Sequence, residues 1–447
     1  MPQSAVLDGD ARSAYASASV ATRRRSPRLP APANDVDLVP PRSAEAAVHA
    51  WAFRARFRRD AFGWKSQPAI TRVREAVAEI KKVAKKEPLV AAEGAVLFFE
   101  RISPALTHVD SSSGAIGSAV NHAIDELTRV IADAHADVRT RDMWLERLYE
   151  AHAADQIPYI ESLGYRWAEL CVTKEIAARW ADRLIGLTSN ALSPDPNMRG
   201  HYHGTTMCLT SLYRAERFEE LLTLLEHEKF WPYKRWSVKA LAALGKKSEA
   251  IALAEASRGP WTSEADVARL CEEILLSSGL VDEAFERYAA DANRAGTYLA
   301  TFRAVAKRYP TKSEADVLAR LVVSTPGDEG KWFAAAKDAG LFAEALALAR
   351  RTPTDPRTLA RAARDHVDEQ PAFALEAGLV ALDWLALGYG YEVTGADVWA
   401  AYLPAKSVAE RADATAALRA RVREIAARSR DGKNLVAEVL RRELHDA

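Results

Sequence analysis

GKKSEAIALAEA (245–256), GLVDEAFERYAA (279–290) and GLFAEALALARR (340–351) share one frame, and that frame decides how the chain folds. Each stretch opens on glycine and soon places Glu-Ala ahead of apolar residues at helical spacing. The small residue falls where two helices have to approach. The dipeptide, or its Glu-Leu equivalent, recurs as Glu220-Leu221, Glu249-Ala250, Glu283-Ala284, Glu314-Ala315, Glu344-Ala345 and Glu376-Ala377. Subtracting neighbouring numbers gives steps of 29, 34, 31, 30 and 32 residues. Such a period fits one helix–turn–helix hairpin per repeat. Glu-Ala is also a common dipeptide in a chain rich in Ala and Glu. The glycine upstream in three copies favours repetition. A single hairpin cannot bury its apolar side without a neighbour. The predicted fold class is therefore all-α, a helical-hairpin repeat array of the α-solenoid, tetratricopeptide- or HEAT-like kind, with an extended concave surface.

Outward from these copies the rest of the chain also reads as helix. Ser43 is placed to cap AEAAVHAWAFRARFRRDAF (44–62). Pro68 stands in the first turn of a helix that includes AITRVREAVAEIKKVAKK (69–86), a position where proline is tolerated. Pro88 closes that helix and opens LVAAEGAVLFFERISPAL (89–106). Asp110 or Ser111 is expected to cap GAIGSAVNHAIDELTRVIADAH (114–135), followed by helices over 138–155 and 174–187 and a Pro- and Gly-containing loop at 193–204. Period-two strands rich in β-branched residues are absent from the sequence. Residues 1–42, with RRRSPR (23–28) and LPAPANDVDLVPP (29–41), lack apolar periodicity and read as a disordered tail. The expected organisation is that tail, an N-terminal helical domain over 43–192 and a repeat array over 205–447.

Composition narrows the classes of function. Lys+Arg and Asp+Glu both number 61, so the formal net charge is zero, which argues against a partner held by the charge of the whole molecule. The apolar run LVALDWLAL (379–387) is far shorter than the roughly 20 residues that span a bilayer, and no secretory signal pattern opens the chain. Cys171, Cys208 and Cys271 lie far apart, which fits reducing cytosol and no disulfide framework. A cytoplasmic protein without membrane contact is expected.

Five segments carry a family resemblance: ERISPALTHVDSSSGAIGSAVNHAID (100–125), WLERLYEAHAADQIPYIESLG (144–164), FWPYKRWSVKALAALGKKSEAIALAE (230–255), STPGDEGKWFAAAKDAGLFAEALALA (324–349) and GYGYEVTGADVWAAY (388–402). From about Ser66 onward the chain resembles an uncharacterised bacterial helical-repeat family, whose helical region accompanies SWIM-type zinc fingers in larger bacterial proteins. The similarity to tetratricopeptide-type repeats is looser. A SWIM finger gathers its zinc donors from C-x-C and C-x-H, and neither spacing occurs in this sequence. Nucleic-acid binding through such a finger therefore does not carry over.

Four constellations could carry chemistry. His201 and His203 form an H-x-H pair able to present two imidazoles to a metal, with Cys208 or Asp195 as a third donor; otherwise they cap or pack on the next helix. His108, Asp110, Asn121 and His122 flank SSSGAIG (111–117), which reads either as a phosphate-accepting turn or as an N-cap before a helix packed through Gly114, Gly117 and Ala119. A ligand-dependent enzyme would place its site near 108–122 and 201–208. Acids such as Glu161, Glu169, Asp182 and Asp383 suit general acid–base work only if burial or proximity separates their pKa values, and most acids of a helical chain face water. No cofactor is implied.

The aromatic cluster FWPYKRW (230–236) offers Trp231, Tyr233, Lys234, Arg235 and Trp236 as partner-binding candidates, against the alternative of a buried hairpin corner. Trp384, Tyr389, Tyr391, Trp399 and Tyr402 pose the same choice. Residues 51–86 hold eleven basic and three acidic side chains, a local charge of plus eight, with Arg54, Arg56, Arg58, Arg59, Lys81, Lys82, Lys85 and Lys86 as its patch. That patch either meets nucleic acid or an acidic partner, or is the wetted side of two amphipathic helices. The expectation is a non-enzymatic scaffold or adaptor that holds another protein on its concave surface. The alternatives are the enzyme above and a nucleic-acid accessory protein acting through 51–86.

Overall fold

The computed structural model describes residues 49–260, 262–428 and 434–445, and the expected tail and the Ser43 cap lie outside them. Among the described residues there are helices and turns and no strand. The protein is all-α. It divides into two compact units, the described residues up to 260 and those from 262 onward. The loop at 193–204 lies within the first unit.

The first unit contains α1 (Ala52–Arg56), α2 (Ser66–Ala84), α3 (Pro88–Ala105), α4 (Ala115–Asp133), α5 (Val138–Ala153), α6 (Trp167–Cys171), α7 (Lys174–Ala191), α8 (Thr205–Arg214), α9 (Phe218–Leu224), α10 (Trp231–Ala243) and α11 (Lys247–Ala256). A 3₁₀ turn over Glu161–Arg166 precedes α6. One continuous core runs from Trp51 to Ala240. Its helices are sealed at their ends by specific side chains. Thr173 caps α7 by accepting from the Ile176 amide, and buried Arg141 closes the C-terminus of α4 by donating to the carbonyls of Ile131 (2.7 Å) and Ala134 (2.5 Å). Gly94 lets the Trp51 ring lie on α3, since a Cβ there would stand 2.2 Å from a ring carbon.

Of the helix expected over 44–62, residues 49–62 are described. Among them only Ala52–Arg56 is helical. Asp60 takes a positive φ of 56°, its amide donates to the Pro104 carbonyl (3.0 Å), and the Trp64 carbonyl accepts from Asp110 (2.9 Å). Tertiary backbone bonds thus replace the helical ones over this stretch. Trp51, Phe53 and Phe57 are buried while the arginines between them face water.

The second unit contains α12 (Glu264–Leu276), α13 (Val281–Ala292), α14 (Tyr298–Arg308), α15 (Glu314–Val323), α16 (Phe333–Asp338), α17 (Phe342–Arg351), α18 (Pro356–Asp365), α19 (Pro371–Ala386), α20 (Gly395–Arg411), α21 (Thr415–Ala426), α22 (Leu435–Val439) and α23 (Arg441–His445). Helices α12 with α13, α16 with α17, and α18 with α19 and α20 pack on one another. Gly378 lets α19 and α20 approach closely, since a Cβ there would meet the Ala401 carbonyl oxygen at 2.7 Å. No helix among the described residues is long and apolar enough to cross a membrane.

The glycine frame has a backbone cause. Among the described residues six helices end in one and the same turn on a residue of positive φ, namely Glu216 (58°), Gly245 (80°), Gly279 (75°), Gly340 (70°), Gly388 (80°) and Asp413 (52°), whereas Val172 (63°) ends α6 in a tighter one. In each of the six the next amide reaches back five residues, as Lys246 to Leu241 (2.9 Å), Leu280 to Leu275 (3.0 Å) and Leu341 to Ala336 (2.9 Å). The same bond joins Arg217 to Leu212, Tyr389 to Trp384 and Ala414 to Ala409. This is the Schellman ending, which favours glycine because an L side chain strains at that φ. A Cβ on Gly245, Gly279 or Gly340 would meet open space, so φ alone demands the residue there. The small residues of the frame, Ala250, Ala284 and Ala345, are fully buried at the helix contacts. The Glu314-Ala315 copy departs from the frame: it lies in the first turn of α15, capped by Ser313, and Ala315 is exposed.

Candidate functional site

Helix α10 carries the FWPYKRW cluster, and its start is fixed from below. Glu228 is buried. Its Oε1 accepts from the amides of Lys229 and Phe230, both at 2.7 Å, and its Oε2 takes an Arg199 guanidinium N–H at 2.6 Å. Pro232 then occupies the first turn, where its missing N–H costs nothing. This anchoring sorts the five candidates. Trp231 and Trp236 turn inward and are buried, whereas Tyr233, Lys234 and Arg235 are half-buried on the rim. Lys234 donates to the carbonyls of Leu225 (3.2 Å) and Glu226 (3.3 Å), a cation placed at the C-terminal end of α9.

Arg235 is different in kind. Its guanidinium carbon stands 5.1 Å from the Tyr165 ring centre and 5.7 Å from that of Trp236. No carboxylate pairs with it among the described residues, and its buried Nε has no hydrogen-bond partner. Lys239 Nζ stands 4.7 Å from the centre of the Trp236 ring. Here the aromatic faces supply the only compensation, and the fork of N–H donors remains available to an incoming carboxylate. Burial pushes the Tyr165 hydroxyl up, and the neighbouring Arg235 charge pulls it back. Tyr165 was not legible as a member of this site, because it lies 70 positions earlier and comes in on a 3₁₀ turn.

The other constellations do not converge. His203 Nε2 lies 3.1 Å from the Tyr149 hydroxyl, which lies 3.0 Å from that of Tyr202. His201 is exposed. Among the described residues no three His, Cys, Asp or Glu side chains come together as a metal would need. Cys208 is buried in α8 and burial pushes its thiol up to about 12, while Asp195 accepts from the Asn197 amide in an exposed turn. In the 108–122 segment Asp110 accepts from Ser112 (2.9 Å), which holds its carboxyl below the usual range. The N-cap of α4 is Gly114 at φ 69°, neither Asp110 nor Ser111. The turn's amides are used internally, with Gly114 donating to the Ser111 carbonyl. Gly117 does not serve close packing, since a Cβ there would meet nothing within 4 Å. Asn121 accepts from the Ser162 hydroxyl at 2.6 Å, and His108 sits 3.4 Å from Asp60 at the surface.

Glu169, Asp182 and Asp383 pair with Arg166, Arg217 and Arg428 rather than with one another. Of the C-terminal aromatics, Tyr402 is buried, Trp384 donates to the Ala349 carbonyl (2.8 Å), and Tyr391 is 80% exposed. In the basic segment Arg56 and Arg72 share Glu75, and Lys81 pairs with Glu126. Arg54, Arg58, Arg59, Lys82, Lys85 and Lys86 are all exposed.

A buried titratable group emerges that the sequence did not signal. His152 on α5 sits 3.3 Å from the Glu161 carbonyl through Nε2, its Nδ1 has no partner, and its ring centre is 6.1 Å from that of His203. Burial first, then the nearby His203 and His201, hold it down at about 4. The unfolded chain therefore takes the proton first as the pH falls. The stability present above about 6.5 is lost as the pH drops towards 4, by roughly 3 kcal/mol. Asp155, raised by burial to about 6, acts in the opposite sense, since its contribution is lost as the pH rises through that value. Denaturant melts of His152→Gln between pH 7 and 4 should show a shallower acid loss than the parent. Parallel curves would refute the assignment.

No protein-family model matches this chain, and no curated protein matches it.

Proposed function

We propose that this chain is a non-enzymatic helical adaptor that binds another protein, with the rim of α10 as its principal contact. The observation that carries this reading is Arg235: a half-buried guanidinium stacked on Tyr165 and Trp236 and lacking an acid among the described residues. Aromatic and arginine side chains set together in this way dominate the energetics of protein interfaces. Tyr233 and Phe230 extend the surface, with ring centres 5.2 Å apart in an edge-to-face arrangement. The resemblance to the helical region that accompanies SWIM-type zinc fingers is compatible with such a role and assigns no activity of its own.

The test is affinity capture from the native host in mild salt, with the full chain as bait and mass spectrometry as readout. Replacing Arg235 and Tyr233 together by Ala should reduce the main co-purifying protein at least tenfold, because each hot-spot truncation costs about 2 kcal/mol or more. Circular dichroism checks that the double variant keeps its helix content, and capture is compared below its melting temperature, because Tyr233 packs against the core and Arg235 against Tyr165 and Trp236. Equal recovery by the double variant would dispose of the site.

A further inference from the structure

A second surface, in the other unit, carries an inference independent of α10. Between α18 and α20 lies an open groove of about 740 Å³. Its floor is apolar, built from Ala360, Val367, Leu403 and Pro404. Leu403 is 52% exposed although it stands in the middle of a 17-residue helix. One wall is a row of arginines, Arg357, Arg361 and Arg364, which the helical repeat brings to a single side of α18.

The acids of the groove are already used. Asp397 binds the Arg357 guanidinium (2.7 and 3.2 Å) and the Thr394 amide (2.8 Å). Asp355 caps α18 through the amide and hydroxyl of Thr358, at 3.0 and 2.7 Å. Arg361 is left with neutral partners, the Arg357 carbonyl (3.3 Å) and the Thr358 hydroxyl (3.1 Å). Arg364 reaches only Asp365, its neighbour in sequence. Asp397 and Asp365 thus neutralise Arg357 and Arg364, and among the lining residues Arg361 is the guanidinium without a carboxylate partner, beside an apolar floor.

We infer that the α18–α20 groove docks an acidic amphipathic helix of a partner protein, with apolar side chains on Leu403 and Pro404 and a carboxylate on Arg361. A helix is the fitting occupant because both walls are helices whose main chains are satisfied internally. Recognition has to come through side chains, as in helix-in-groove binding, and not through an added strand. Carboxylate matches the arginine fork in geometry as well as charge.

The experiment is selection of a displayed random peptide library on the full chain, followed by counter-selection on Arg361→Glu and on Leu403→Glu. Both side chains are exposed, and circular dichroism checks that the variants fold. The expected result is a set of peptides carrying Asp or Glu beside apolar residues at i, i+4 spacing, which lose at least tenfold enrichment on either variant. They should keep their enrichment on the Arg235/Tyr233 double Ala variant, so failure of one site is distinguishable from failure of the other. The inference is overturned if no peptide discriminates parent from variants, or if the discriminating peptides are neutral or basic. It is also overturned if the parent sediments as a dimer that Leu403→Glu dissociates, or if phosphatidylserine vesicles bind the parent and not Arg361→Glu, because a second copy or a lipid surface would then be the occupant.

Discussion

Glu272→Ala should lower the stability of the second unit by about 3–5 kcal/mol, the range found when one member of a buried charged network is removed. The carboxylate is only 2% exposed and is held from three directions. Its Oε1 accepts from the Tyr309 hydroxyl and from Asn293 Nδ2, both at 2.7 Å, and Arg308 approaches Oε2 at 3.5 Å. Removing it strands the Tyr309 hydroxyl, almost wholly buried, at about 1–3 kcal/mol, costs Asn293 one of its two bonds while its bond to the Ala289 carbonyl (3.0 Å) remains, and opens a cavity besides. Arg308 reaches solvent and loses less. In calorimetry of the full chain the transition of this unit should fall on the order of 10 °C. Glu272→Gln keeps an oxygen for Tyr309 and Asn293 and should cost far less. Equal losses for the two variants would show that charge, and not hydrogen bonding, holds the junction.

Phe98→Ala is the second large effect, expected at about 3–5 kcal/mol in the first unit. Phe98 is completely buried, and its ring meets Phe57 at 5.4 Å, Phe99 at 5.7 Å and Phe53 at 6.0 Å between ring centres. These contacts fasten the residues around α1 to α3. Beyond the shift of the melting transition, amide exchange should accelerate most over 51–62. Phe98→Leu, which keeps most of the volume, should fall between parent and Ala. A loss below about 1 kcal/mol for Ala would mean that the rings are not packed as described.

The sequence conveyed what is local. Helix identity followed from apolar spacing, and Pro68, Pro88 and Pro232 each stand in a first helical turn as expected. The glycines of the 245, 279 and 340 copies marked helix ends because their φ requires them. Glu216 and Asp413 make the same turn without glycine and were invisible for that reason. Long-range effects were not legible. The apolar and basic alternation of 44–62 suggested one helix, but within its described residues Phe57 is drawn onto Phe98, some 40 residues on, and the chain leaves helical geometry after Arg56. The α10 cluster was visible as composition. Its division into two buried tryptophans and a cationic rim depended on Glu228, Arg199 and Tyr165, and nothing in FWPYKRW points to them.

The recurring left-handed helix ending has a consequence for how such a chain can change over time. Each of the six turns closes on main-chain atoms, so its hydrogen bond does not depend on which side chains flank it. Letters can drift around the turn while the reversal persists. The strain borne by Glu216 and Asp413, about 1–2 kcal/mol each, is the cost of making this turn without glycine. The six turns are therefore more alike in dihedral angles than in sequence.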